Sequence, residues 1–144
     1  MSTLKQRDKK KGFRGYIFSR EINGNFIPQR VQNLVIKDFA ERKKLFYKLS
    51  LTEYIMKNSY FMLNAVLLNL KSLDGLIFYS WEMLPEKFEI RYKILKRLIS
   101  NNKIIYFALE ELEVKNIKKL KELEKLIKIR KSTMKKKTIN KIMN

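Results

Sequence analysis

The residue types best suited to chemistry gather in one short stretch, SREINGNFIPQRVQ, residues 19–32. Arg20 and Arg30 each present a planar fork of donors that fits a phosphate or carboxylate bidentately. Asn23, Gln29 and Gln32 add amides able to bond hydroxyl groups, and Ser19 adds a hydroxyl of its own. Farther along, Glu53 and Glu110 are carboxylates that could move a proton. If Ser19 were a nucleophile, Glu53 or a lysine would have to act as its base. Ser19 serves equally well as a hydrogen-bonding turn residue. Tyr54 and Ser80 offer further hydrogen bonds. The chemistry implied is capture of an anion that carries hydroxyls.

The exclusions are as informative. The chain contains no histidine and no cysteine. Thiolate nucleophiles, disulfides, Cys/His zinc sites and imidazole acid–base catalysis are therefore ruled out. Neither a dinucleotide G-x-G-x-x-G nor a P-loop is present, and no cofactor is expected. Glu53, Glu82 and Glu110 could bind a divalent cation, but carboxylates near arginines are more often ion pairs, so no metal is expected.

These residues need elements to position them, and the pattern supplies alternating strands and helices. Residues 14–19 read as a buried strand, with Asn23-Gly24 or Gly24-Asn25 as the left-handed turn behind it. Pro28 suits a first helical turn, and Val31, Leu34, Val35 and Phe39 give a helical stripe to about residue 43. Residues 45–51 form the next strand. Ser59 can cap a helix whose apolar positions are Phe61, Met62, Ala65, Val66, Leu68 and Leu70. Residues 76–80 are a third strand. Pro85 opens a helix with Phe88, Tyr92, Leu95 and Ile99 on one face and Asn101-Asn102 as its stop. Residues 103–109 are a fourth strand. A last helix begins near residue 114, shows Ile117, Leu120, Leu123 and Ile127 on one face, and should fray beyond Arg130. Its face could pack on the sheet or on a second copy.

Apolar runs alternating with amphipathic helices indicate parallel βαβ units. The expected fold is α/β in three layers, a small parallel four-stranded sheet flanked by helices, plus a long basic C-terminal helix. The organisation is a basic tail over 1–11, one domain over 12–113, and a helix with frayed tail over 114–144. Ligands of such sheets bind at the carboxyl ends of the strands. Polar residues follow every strand there: Ser19 and Arg20; Ser50, Thr52, Glu53 and Tyr54; Ser80, Trp81 and Glu82; Glu110 and Glu111. The helix starting near Pro28 would aim its free N–H groups at the same rim.

The formal charge of +19 sits mainly at the ends. Residues 1–14 contribute +5 and residues 112–144 contribute +9. Such tails solvate, or attract nucleic acid without sequence preference. No signal peptide is visible, and the most apolar run, YFMLNAVLLNL, is too short to span a bilayer. A soluble cytoplasmic protein is expected.

The stretch GFRGYIFSREINGNFIPQRVQNLVIKDFAERKKLFYKLSLTEY, continued by LDGLIFYSWEMLP and FALEEL, resembles the sporadic carbohydrate cluster protein family. The resemblance covers roughly residues 12–113 and implies a setting in surface-glycan biosynthesis. A fainter similarity runs to the catalytic domain of serine recombinases, or resolvases. Tyr16, Ser19, Gln32 and DFAER (38–42) follow that family's order, which implies a resolvase-like or flavodoxin-like fold. Ile17 and Phe18 stand where that family has an arginine, and SWEMLPEKFE lacks its paired arginines.

The function these signals imply is an enzyme or accessory protein of surface-polysaccharide synthesis. It would bind an anionic sugar or sugar nucleotide at the carboxyl rim. Two other readings are a recombinase-like nucleic-acid-binding protein without the catalytic arginines and a non-catalytic scaffold. A homodimer is expected.

Overall fold

A computed structural model describes residues 11–143. The basic N-terminal segment therefore lies outside the described residues, apart from Lys11. Five strands form one sheet: β1 (Phe13–Phe18), β2 (Tyr47–Glu53), β3 (Gly75–Phe78), β4 (Ile104–Phe107) and β5 (Leu112–Val114). Their order is β2-β1-β3-β4-β5, with the first four parallel and β5 antiparallel to β4. The α/β expectation holds, and the sheet gains one strand. Residues 108–111 make a tight turn, with Glu111 at φ 55°, that returns the chain along β4. Val114, read from sequence as the start of a helix, is buried opposite Ile105. The expected boundary at residues 113–114 thus falls inside β5.

Four α-helices surround the sheet among the described residues: α1 (Gln29–Arg42), α2 (Phe61–Leu67), α3 (Phe88–Ser100) and α4 (Ile117–Met143). Right-handed crossovers send α1 to one face and α2 and α3 to the other, because the order reverses direction after β2. Beneath α1, Phe39 packs on Tyr106 at 5.3 Å and Phe13 on the same ring at 5.4 Å. On the opposite face Tyr16 meets Phe78 edge to face and Phe78 stacks on Phe107, with centroids 5.3 and 5.4 Å apart. Strands covered on both faces read as unbroken apolar runs, as GLIF in β3 does. A Cβ at Gly75 would overlap the Ile104 carbonyl and the Phe13 ring.

Several faces differ from the sequence expectation. In α1 the buried residues are Gln32, Ile36, Phe39 and Ala40, while Val31 and Leu34 are exposed. The helix is turned so that Gln32 points inward, for a reason given below. Strand β2 starts two residues late because Lys44, at φ 56°, is needed to leave α1. Ser50, Thr52 and Glu53 consequently lie within the strand. Ser59 does not cap α2; Tyr60 occupies that position and the acceptors come from Glu53. In α3 Arg91 is buried and Phe88 is half exposed, since Arg91 grips Glu124 of α4 at 2.6 and 2.8 Å.

That ion pair, with Leu120, Leu123 and Ile127, seats α4 on its own chain. The face that could have served a second copy packs on α3 and β5. Instead of fraying after Arg130, α4 continues to Met143. Among the described residues no helix is long and apolar enough to cross a membrane.

Candidate functional site

Because β1 and β3 are neighbours whose helices leave on opposite faces, a crevice must open between their carboxyl ends. β3 stops pairing with β1 at Phe78, and the Tyr79 amide donates a last bond to the Tyr16 carbonyl at 3.3 Å. Phe18 would be left unpaired on that side. Gln32 fills the gap: its Oε1 accepts from the Phe18 amide at 2.9 Å. Its Nε2 donates to the carbonyls of Phe18 at 2.9 Å and Ile27 at 2.8 Å. Gln32 is 0% exposed, so it extends the sheet and has no group left for a ligand. The ligand-binding role expected for it is corrected on this ground.

The β1–β2 side of the rim is closed in the same way. Ser19 Oγ donates to the Glu53 carbonyl at 2.9 Å. Arg20 donates to the carbonyls of Tyr54 at 2.8 Å and Met56 at 3.1 Å. Its guanidinium lies 3.9 Å from the Phe18 ring centre and 5.2 Å from that of Tyr60. Arg20 therefore holds the loop after β2.

Glu53, only 1% exposed, accepts from the amides of Tyr54, Met62 and Leu63 and from the Tyr16 hydroxyl at 2.8 Å. Burial pushes this carboxyl up, but the Met62 and Tyr54 amides, the Tyr16 hydroxyl and the Leu63 amide outweigh it. They hold it below the usual carboxylate range. The same burial, reinforced by Glu53, pushes the Tyr16 phenol up. Glu53 is a lid on the α2 N-terminus, and it is corrected as a base: nothing outside can reach it. Tyr54 is exposed with its ring against Phe61 at 5.4 Å. Gln29 and Arg30 are exposed at the start of α1.

The β3–β4 side is built differently. Ser80 Oγ donates to Glu110 Oε2 at 2.7 Å and accepts from the Glu82 amide at 3.1 Å. Glu110 Oε1 accepts from the Trp81 amide at 3.0 Å. This bracket fixes the short turn Trp81–Met83 at the end of β3. Burial raises the Glu110 carboxyl above its ordinary range against the hydrogen bonds from Ser80 and Trp81, and the Glu82 charge adds to the rise. Burial and these two glutamates likewise raise Tyr79.

In front of the bracket lies a cleft of about 450 Å³. Trp81, Glu82 and Glu86 form one wall, Arg130, Lys131 and Met134 of α4 the other, and Asn23 closes one end. Arg130 bonds Glu82 at 3.2 Å, and Lys131 donates to the Glu86 carbonyl at 3.2 Å. Asn23 and Gly24, at φ 50° and 82°, form the left-handed turn that carries Asn23 to this edge. The carboxyl ends of β1 and β3 thus meet the C-terminal helix at the topological switch point.

No family model matches this chain, and neither does any curated protein or solved structure. Among the described residues no three His, Cys, Asp or Glu side chains gather to hold a metal ion.

Of the residues singled out from sequence, the structure gathers Ser80 and Glu110 behind the cleft and Asn23 at its edge. It disperses the rest. Sequence reading missed Arg130, Lys131 and Glu86 altogether. A signal for the first two existed: the stripe Leu120, Leu123, Ile127 continues at helical spacing into Arg130, Lys131 and Met134. Basic residues on the packing face of a helix mark a turn of that face toward something polar.

Proposed function

We propose that the protein binds an anionic sugar or sugar nucleotide in this cleft, as an enzyme or accessory protein of surface-glycan synthesis in the cytoplasm. The observation that carries the reading is the convergence of Trp81 with Arg130 and Lys131 at the switch point. The face of an indole suits the C–H face of a sugar ring, and a guanidinium beside an ammonium suits a phosphate or carboxylate. Asn23 and Glu86 line the same cleft and can bond ring hydroxyls. The volume lies within the range of small-molecule sites. An arriving anion takes Arg130 from Glu82, whose freed carboxylate can then bond a hydroxyl. Glu110, raised by burial, can hold a proton behind the wall, where with Ser80 it fixes Trp81 and Glu82 in place. The glycan setting itself rests on the sequence resemblance.

Thermal denaturation with UDP-glucose, UDP-glucuronic acid, CMP-sialic acid and inorganic phosphate tests the reading. At least one sugar nucleotide should stabilise the protein, by about 2.7 kcal/mol at a hundredfold excess over its Kd. Arg130→Ala should remove that shift without changing the ligand-free midpoint, whereas Arg30→Ala should keep it. No shift with any member of the panel, or an undiminished shift in Arg130→Ala, refutes the cleft as the site.

A further inference from the structure

Past Ile127, α4 changes character. Every residue from 128 to 143 is exposed. Seven of these sixteen residues are Lys or Arg, and none is Asp or Glu. Arg130 and Lys131 reach the cleft wall, which leaves Lys128, Lys135, Lys136, Lys137 and Lys141 free of the ion pairs and hydrogen bonds described above. At 1.5 Å per residue the stretch is about 24 Å long and carries a cation roughly every 3.4 Å. Lysines four apart, as at 131 and 135 or 137 and 141, repel one another and weaken an isolated helix. A polyanion laid along it would remove that repulsion.

The distribution around the helix axis decides which polyanion. At 100° per residue the cations point in all directions. Ile129, Ile139, Ile142 and Met143 fall within one broad arc, but Lys128, Lys135 and Lys136 share it, so no uncharged apolar stripe runs along the helix. A helix lying in a membrane surface needs such a stripe opposite its charges. Cations on several sides suit a groove whose two walls are both anionic. The major groove of duplex nucleic acid is about 12 Å wide and admits a helix, and each strand carries a phosphate about every 3.4 Å. Six of the seven cations are lysines, which act on phosphate as point charges.

We propose that residues 128–143 form a nucleic-acid-binding arm that engages the phosphate backbone of a duplex without reading its sequence. Lys128, Lys135, Lys136, Lys137 and Lys141 make this contact, independently of Arg130 and Lys131, which face the cleft.

Fluorescence anisotropy with the full chain and two unrelated 20-base-pair DNA duplexes, titrated between 50 and 200 mM salt, tests this. The duplexes should bind equally. With five phosphates neutralised, log K should fall against log salt with a slope of about −4.5. Lys135→Gln, Lys136→Gln and Lys137→Gln combined should reduce the slope to about −2, since about 0.9 is lost per contact. The charge-matched triple variant Lys9→Gln, Lys10→Gln, Lys11→Gln should leave it near −4.5. These arm positions are solvent-exposed, so the fold is not at stake. The proposal is overturned by an absence of binding at 50 mM salt, by equal loss of slope in both triple variants, or by phosphatidylserine vesicles binding more tightly than either duplex.

Discussion

The two halves of the carboxyl rim carry similar residues and use them in opposite ways. On the β1–β2 side, Ser19, Arg20, Gln32 and Glu53 spend their hydrogen bonds almost entirely on main-chain groups. On the β3–β4 side, Ser80 and Glu110 each accept one main-chain amide but also bond each other, and Arg130 bonds Glu82, side chain to side chain. Main-chain partners are fixed by the fold, so a polar group committed to them cannot be released without unfolding something. Side-chain partners can be exchanged for a ligand. Polarity at a strand end is therefore a poor guide to a site, and the kind of partner is a better one.

The sharpest way to break this contrast is to remove Glu53. Glu53→Ala strands the Met62, Leu63 and Tyr54 amides and the Tyr16 hydroxyl, two of them deeply buried. Losing a charged buried acceptor with several donors should cost about 3–5 kcal/mol in urea denaturation. Glu53→Gln keeps one acceptor oxygen and should lose less. A loss under about 1 kcal/mol would mean that this side of the rim is not sealed.

Gln32→Leu comes next. It is close to isosteric and keeps the apolar packing, but it orphans the Phe18 amide and carbonyl at the open end of β1. The expected loss is about 2–3 kcal/mol. The variant should still bind whatever the cleft binds, since Gln32 does not reach it.

What could be read from sequence follows from range. The turn at Asn23-Gly24 and the helix stop at Asn101-Asn102, with Asn102 at φ 60°, are local backbone demands written in local residues. The runs GYIF, LIF and IIYF announce a sheet buried on both faces. β5 was not legible, because Leu112, Glu113 and Val114 are too few to show a period and become a strand only by pairing with β4. Gln32 was misread because an inward amide on a helix looks the same whether it meets a ligand or an unpaired strand. Arg130 and Lys131 were hidden among lysines of identical type. Only the packing of α4 against the turn after β3 sets them apart.

The smallest expected effect is the one that separates the two carboxylates by sign. Glu53 has a lowered folded pKa, so its stabilisation is full above the unfolded carboxylate value and is lost as pH falls through the folded value. Glu110 has a raised folded pKa, caused first by burial. Its protonated form is favoured by folding, so its contribution is best below the unfolded value and declines as pH rises through the folded one. Replacing each by glutamine should therefore tilt the pH profile of stability in opposite directions. Below about pH 5, Glu53→Gln should fall progressively behind the wild type as pH rises and then run parallel to it, while Glu110→Gln gains on the wild type as pH rises above the ordinary carboxylate value. At neutral pH the Glu110 change should stay within about 1 kcal/mol, because the amide can still accept one of the two hydrogen bonds. Urea midpoints at about pH 3, 4, 5.5 and 7 give the comparison. Parallel profiles for Glu110→Gln and wild type would mean that Glu110 titrates like a solvated carboxylate. It would then have no advantage in holding a proton.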